Sequence, residues 1–340
     1  MTQDGGPLVA TVVLNWQRPE ETLACVQALR DTDYPNQRIL VVDNSAGASG
    51  IGTLLAGLPV EVIRNPKNLG FTGGVNVGLH RAVADGADYV WLFNSDALPA
   101  ADTLGRLVAA AEADPAIGLI SPVIHDPAAR DVPLFCLARY EPRSLIASQT
   151  ASEEEARQWL RERPDEIVLP GTALLVRRAV VTAIGGLDAR FFAYVEDVDY
   201  SLRCHAAGFR VVPCFGAVIW HRFREPTTRP SDTPPYLYYF MTRNSLLLWR
   251  KRRRRLASKA MLWFLHERLR QIDRMPQQPA AIDALLAGLW DGLRGIGGPH
   301  DPASRAPWWL RRTLGRHPRL FLDLLDRKLP AARQPPRRVR

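Results

Sequence analysis

Four strand-length, largely apolar runs, each halted by polar residues, most constrain what this chain can fold into. Val9 to Leu14 ends at Asn15, and Arg38 to Val42 ends in Asp43-Asn44-Ser45. Val60 to Ile63 ends at Arg64-Asn65, and Tyr89 to Phe93 ends in Asn94-Ser95-Asp96. Runs of this length bounded by polar turns read as buried strands. Helical periodicity separates them: Leu23, Val26 and Leu29 share one face of a helix starting at Glu20, and helical patterns cover Gly74 to Ala84 and Ala101 to Ala113. Strands alternating with helices predict an α/β fold with a parallel sheet and right-handed crossovers. Ligands bind at the carboxyl ends of such strands, where the polar residues gather here.

With 340 residues, 46% hydrophobic and 23% charged, the chain can bury a substantial core, and one large domain with an appendage is expected. Cys25, Cys136, Cys204 and Cys214 include no Cys-x-x-Cys pair, so neither a zinc site nor a disulfide framework is indicated and a reducing cytoplasm fits. Met1 to Gly6 lacks the basic start and apolar core of a signal peptide, and no run of about 18 apolar residues occurs. The net charge of +9 is unevenly placed. Residues 226–340 hold 24 Lys/Arg against 8 Asp/Glu, whereas residues 1–225 hold 20 against 27. This break, with Pro226, Pro230, Pro234 and Pro235 beside it, predicts a domain over residues 1–225 and a separate basic region over 226–340.

Asp96, after an apolar run, either binds a divalent cation at the sheet edge or closes an Asx-type turn. Asn68 to Gly78 contains Gly70, Gly73, Gly74 and Gly78. Its glycines either let backbone approach a ligand, with a helix starting near Gly74 aimed at a diphosphate, or serve only a turn and close packing. Neither Gly-x-Gly-x-x-Gly nor Gly-x4-Gly-Lys-Ser/Thr is present, so a dinucleotide or Walker-type site has no motif support. The pattern is irregular from 126 to 170, apart from a helix over Glu153 to Arg163 capped by Ser152. This stretch is either an acceptor-binding insertion or an inert excursion. Glu196, Asp197 and Asp199 begin a helix, where the dipole favours negative charge by roughly 0.3–1 kcal/mol and keeps a carboxylate ionised. Asp199 can equally cap that helix or pair with Arg203. Arg210 to Val212 and Ala217 to Trp220 read as two strands, the second ending at His221, a structural histidine or a metal ligand.

The ordered set is more specific than any member. It runs through Asp43-Asn44-Ser45, Asn68-Leu69-Gly70-Phe71, Asn76, Gly78, Asn94-Ser95-Asp96, Gly185-Gly186-Leu187-Asp188, Phe191-Phe192, Glu196-Asp197-Val198-Asp199 and His221. From Val9 to about Arg224 the chain resembles the family 2 glycosyltransferases of GT-A fold, especially the branch of bacterial rhamnosyltransferases and galactofuranosyltransferases. The resemblance implies a Rossmann-like mixed sheet flanked by helices and an inverting transfer of a sugar, such as rhamnose, from a dTDP- or UDP-sugar to a glycan or lipid-linked acceptor. By that resemblance Asp43 and Asn44 hold the nucleoside, while Asn68, Gly70, Phe71, Gly74 and Asn76 line the diphosphate and sugar pocket. It places Asn94, Ser95 and Glu196 at the donor as well. Asp96 and His221 match the ligands of Mg2+ or Mn2+, and Asp197 matches the general base. Asn94 stands where the family's Asp-x-Asp motif has its first carboxylate, and an amide is the weaker ligand.

Beyond the break, Tyr236 to Trp249 is aromatic and apolar around Arg243-Asn244, in a Tyr-x-x-x-x-Arg-Asn pattern that also resembles this branch. Six basic residues, Arg250 to Arg255, follow, and then Leu256 to Leu269 with Met261, Leu262, Leu265 and Leu269 on one face. Such a segment either lies on an anionic membrane surface, at the inner face of the cell membrane, or packs in a helical bundle. Trp308-Trp309 follow later, and Pro335 to Arg340 reads as a disordered end. Two other function classes compete: a nucleotidyltransferase on a related sheet, and a nucleic-acid-binding protein using the basic tail. No nucleic-acid motif accompanies that charge, and the acidic half opposes it.

Overall fold

The structure, a computed structural model, describes residues 6–141, 146–221, 233–252, 258–274, 278–301 and 303–326. The chain divides into two compact units, one of residues 1–139 and 149–223, the other of residues 140–148 and 224–340.

The first unit opens with β1 (Val9–Asn15), α1 (Pro19–Arg30), β2 (Gln37–Asp43), α2 (Ile51–Leu54), β3 (Val60–Arg64), α3 (Gly70–Ala84) and β4 (Tyr89–Asn94). It continues through β5 (Ala97–Pro99), α4 (Thr103–Ala113), β6 (Ile117–His125), β7 (Pro133–Phe135), β8 (Leu137–Glu141) and β9 (Ile146–Thr150). After α5 (Glu153–Glu162) come β10 (Ile167–Val168), β11 (Ala173–Arg177), α6 (Arg178–Ile184), α7 (Glu196–Ala206) and β12 (Arg210–His221). The chain crosses the unit boundary within β8 and again within β9.

The main sheet has the order β3-β2-β1-β4-β11-β6-β12-β5, with β7 beside β6. It is mixed, not parallel throughout: β11 runs antiparallel to both neighbours, β4 and β6. Periodicity carries no strand direction, and the long excursion after β6 lets the chain return from the other end. That excursion is more regular than the sequence pattern predicts, since it holds β7 to β10 and α5, whose Ser152 Oγ accepts the Glu155 amide at 3.3 Å. The two strands predicted at 210–212 and 217–220 are one strand, β12, with a register shift between Cys214 and Val218.

Why these elements form is local. Helix α1 starts with Pro19, where a missing N–H is harmless, carries Glu20 and Glu21 in its first turn and Arg30 in its last, and buries Thr22, Cys25, Val26 and Leu29. Helix α3 begins at Gly70, four residues before the predicted start, and presses on the sheet through glycine. A Cβ on Gly74 would lie 2.4 Å from Leu14 Cδ1, and one on Gly78 2.4 Å from Val12 Cγ1 and 3.0 Å from Val42 Cγ2. The core beneath includes Val12, Val42, Leu79, Leu92, Leu174 and Val176.

The second unit contains α8 (Pro235–Arg252), α9 (Ser258–Asp273), α10 (Pro279–Arg294), α11 (Trp308–Leu310), a π-helical turn (Arg311–Gly315) and α12 (Pro318–Asp326). Helices α8 and α10 approach backbone to backbone: a Cβ on Gly288 would meet the Tyr239 carbonyl oxygen at 2.4 Å, and one on Gly292 the Arg243 carbonyl oxygen at 3.0 Å. Phe264 and Leu269 of α9 are buried in this core, with Met261 and Leu265 packed against it. Of the stripe that reads as a lipid-facing side, Leu269 is thus inside the bundle, while Met261, Leu262 and Leu265 are half-buried. Arg253 to Arg255, the Arg224 to Ser231 break and Pro335 to Arg340 lie outside the described residues.

Gly78→Ala tests the glycine contact. Alanine favours a helix interior by up to about 1 kcal/mol over glycine, but overpacking a close contact costs about 1–3 kcal/mol. The contacting atoms belong to buried Val12 and Val42, so strain should win, and a lower midpoint in thermal unfolding is expected.

Candidate active site

The carboxyl ends of β1, β2, β4 and β12 and the start of α7 supply the predicted polar groups. Strand β5 follows Asp96 directly and pairs antiparallel with β12, setting Ala97 opposite His221. That register brings together two residues 125 apart in sequence: His221 Nε2 lies 3.1 Å from Asp96 Oδ1. Burial alone would raise the Asp96 carboxyl, but the hydrogen bond and charge of His221, with a weaker pull from Arg18, hold it below the usual range. Asp96 remains open to solvent, its side chain 37% exposed, whereas His221 is buried.

The residues just before β11 join this edge to the acidic helix. Thr172 accepts the Asn94 amide through its carbonyl at 2.8 Å, and Gly171 donates its own amide to Asp197 Oδ2 at 3.1 Å. The Asn94 and Ser95 side chains are half-buried and make no hydrogen bond to other described residues. Asp197 Oδ1 also accepts the Val198 amide at 2.8 Å, so both oxygens are fixed by backbone. Burial pushes the Asp197 carboxyl up, and the Gly171, Val198 and Asp197 amides only partly offset it. Its basicity is therefore greater than a position at a helix start predicts. Glu196 is more extreme: it is buried, its Oε2 has no hydrogen-bond partner, and burial with repulsion from Asp197 drives its carboxyl well above the ordinary value.

Asp43 is also buried. Its Oδ1 accepts from Asn15 Nδ2 at 3.1 Å, the Ser45 amide at 3.1 Å and Ser49 Oγ at 3.0 Å, while Oδ2 has no partner among the described residues. Asn44 has its amide fully engaged inside the protein. Nδ2 donates to Asn68 Oδ1 at 2.9 Å and the Gly70 carbonyl at 3.0 Å, and Oδ1 accepts from Asn65 Nδ2 at 3.1 Å and the Leu69 amide at 3.0 Å. Asn68 Oδ1 also accepts the Gly70 amide, and Thr72 donates its amide to the Phe192 carbonyl. The amides of Leu69, Gly70 and Thr72 at the start of α3 thus already have protein partners. Gly74 faces the sheet, and Phe71 is half-buried near Gly171.

Asn76 clamps the segment leading to α7: Nδ2 donates to the Leu187 carbonyl at 2.7 Å and Oδ1 accepts the Leu187 amide at 2.9 Å. From the other side, Arg203 donates to Asp199 Oδ2 and to the carbonyls of Ile184 and Gly186, each at 2.8 Å. Between clamp and helix, Phe192, Tyr194 and Val195 have φ of 64°, 69° and 71°. Left-handed backbone is rare for such side chains, costs on the order of 1–3 kcal/mol each and clusters at functional sites. Gly70 fits beneath this strained turn because a Cβ there would lie 2.5 Å from Phe192.

Sequence reasoning missed Asn15, Ser49, Gly171 and Thr172. Asn15 ends a strand and was legible as polar edge, but the other three act through long-range contacts that no local pattern announces. Asp96 and His221 offer an oxygen and an imidazole suited to a divalent cation. No group of three or more His, Cys, Asp or Glu gathers to hold a metal among the described residues, so a cation here would complete its shell from substrate phosphates and water.

Comparison with known proteins agrees with this geometry. A model described as "glycosyltransferase like family 2" matches residues 7–233. The galactofuranosyltransferase GlfT1 of Mycobacterium tuberculosis is 31% identical over 225 residues, covering 63% of this chain and 69% of that protein. The N-acetylglucosaminyl-diphospho-decaprenol L-rhamnosyltransferase of the same organism is 30% identical over 191 residues, covering 50% and 61%. The solved mannosyltransferase PcManGT from Pyrobaculum calidifontis, in complex with GDP-Man and Mn2+, shares the fold with a TM-score of 0.53 at 18% identity, covering 82% of this chain and 74% of that one.

Glu196 sets a pH dependence of stability. A carboxyl raised in the folded state contributes stability that is complete below its ordinary pKa and is lost as pH rises through the raised value. The unfolding midpoint of the wild type should therefore fall as pH rises from the ordinary carboxylate range. Glu196→Gln should unfold at higher temperature near neutrality and show a smaller fall. Identical profiles for the two proteins would refute the assignment.

Proposed function

Since the chain belongs to the glycosyltransferase-like family 2 and has the GT-A fold, it is a glycosyltransferase, and we propose that it works by inverting, metal-assisted single displacement. The observation that carries this reading is the Gly171–Thr172 segment, which bonds to Asn94 on one side and Asp197 on the other. It ties the donor edge to the half-buried Asp197, the proposed base.

The proposed donor is a dTDP- or UDP-sugar, with rhamnose the sugar suggested by the rhamnosyltransferase relative. Asp43, steadied through Oδ1 by Asn15, Ser45 and Ser49, offers Oδ2 to the nucleoside. Asn44 and Asn68 hold the turn at Gly70 and Phe71, so this loop shapes the pocket. Gly74 lets α3 sit close to the sheet, and Asn76 holds the loop opposite. Asn94 and Ser95 offer their side chains to the donor, and Glu196 lies buried next to the base in sequence. With the first amides of α3 already bonded, helix-end donors contribute little to the diphosphate. Asp96 and His221 would hold Mg2+ or Mn2+, which when bound would neutralise charge on the departing nucleoside diphosphate.

Asp197 accepts the proton of the acceptor hydroxyl as its oxygen bonds to the anomeric carbon and the bond from that carbon to the diphosphate oxygen breaks. One displacement inverts the configuration. The raised basicity of Asp197 favours proton uptake, and its two backbone hydrogen bonds fix its direction. We assign residues 1–225 to this catalytic region, with 126–170 contributing to a glycan or lipid-linked acceptor site. Residues 226–340 form the basic helical region, which would bring the enzyme to an anionic membrane face on the cytoplasmic side.

Turnover of dTDP-, UDP- and GDP-sugars, with and without Mn2+, tests the reading. Asp197→Asn should lower the rate by about 10²–10⁴-fold with little change in nucleotide binding. Asp96→Ala should lose metal-enhanced thermal stabilisation by the preferred nucleoside diphosphate. Undiminished turnover in Asp197→Asn, or pyrophosphate release from a nucleoside triphosphate plus sugar phosphate, would overturn the proposal, the second outcome in favour of nucleotidyl transfer.

A further inference from the structure

The second unit leaves large apolar and basic side chains uncovered between residues 308 and 324. Trp308 is 72% exposed and Trp309 48%, the latter braced edge-on against Trp290 with ring centroids 6.2 Å apart. On α12, Leu320 and Leu324 are one helical turn apart and 61% and 48% exposed, although Phe321, Leu322 and Leu325 beside them pack into the bundle core. The apolar arc of α12 is therefore wider than the bundle covers. Four arginines accompany these residues. Arg311 pairs with Asp283 and Arg319 with Asp273, whereas Arg312 and Arg316 are exposed and have no carboxylate partner among the described residues.

We propose that the surface carried by residues 308–324 docks onto an anionic lipid bilayer. Tryptophan favours the boundary between headgroups and acyl chains, leucines one turn apart can enter it, and arginines without protein partners meet lipid phosphates. Charge selects this occupant over a second copy of the chain, which would bring the same arginines together within a region carrying 24 Lys/Arg against 8 Asp/Glu. No described helix is long and apolar enough to cross a membrane, so the contact is interfacial. The stripe on α9, which from sequence competes for this role, is less available, with Leu269 buried and Met261, Leu262 and Leu265 half-buried.

This inference deepens the membrane part of the proposed function and rests on it, and the two are separable by measuring vesicle binding and donor turnover independently. Full-length protein would be co-sedimented with phosphatidylcholine vesicles with and without phosphatidylglycerol, at low and high salt. Binding should require phosphatidylglycerol and weaken with salt. Arg312→Glu/Arg316→Glu should reduce partitioning by at least about tenfold, since each basic residue near the surface contributes about 1 kcal/mol. Trp308→Ala/Leu320→Ala should weaken binding with an unchanged unfolding midpoint, because both side chains are exposed, and should reduce the blue shift of tryptophan emission on adding vesicles. Donor turnover without vesicles should persist in both variants. Partitioning equal to wild type in both, absence of vesicle binding, or self-association of the wild type abolished by Trp308→Ala/Leu320→Ala would each overturn the proposal. Vesicle binding without donor turnover would leave the surface standing and remove the transferase reading.

Discussion

The arrangement turns on the reversed strand β11, whose entry holds Asn94 through one carbonyl and Asp197 through one amide. These two bonds come from adjacent backbone units of the turn that leads directly into β11. Trp91, wholly buried, adds a donor from its indole to the Ala173 carbonyl at 3.3 Å. A similar economy works at the other edge, where the pairing of β5 with β12 sets the Asp96 and His221 contact without any dedicated side chain.

Much of this was legible because strand ends announce themselves. An apolar run that stops at Asp43 or Asp96 tells both where the sheet edge lies and what chemistry it can offer. Direction was not legible: β11 has the same apolar pattern whether it runs with or against β4. Nor was partnership. Asn44 and Asn76 look like ligand groups from their types and spacing, yet each has its amide engaged by backbone elsewhere in the fold, 25 and 111 residues away in two of the contacts. They hold loops together. The partners of the amides at the start of α3 were not legible either, since Asn44 and Phe192 come from a strand end and a distant loop.

The basic region shows the same limit in hydrophobic form. The regular stripe of α9 is satisfied by neighbouring helices, while the less conspicuous α12 keeps part of its apolar arc outside. Amphipathicity tells that a helix has two faces and leaves open which neighbour takes the apolar one. Arg243 carries the point to charge: it is fully buried, and desolvation depresses its guanidinium, with Tyr239 and Asp291 acting the other way. The Arg243-Asn244 pair of the Tyr-x-x-x-x-Arg-Asn pattern is buried inside the bundle.

Phe192, Tyr194 and Val195 have a consequence for how this enzyme can change. Glycine at any of the three would relieve the left-handed strain, so a search for stability alone would favour it. The same replacement would free the turn that carries Glu196 and Asp197, widening the angles over which the proposed base points. Stability and aim therefore pull against each other across these three positions. A lineage selected for rate should retain bulky side chains where an unconstrained loop would drift toward glycine.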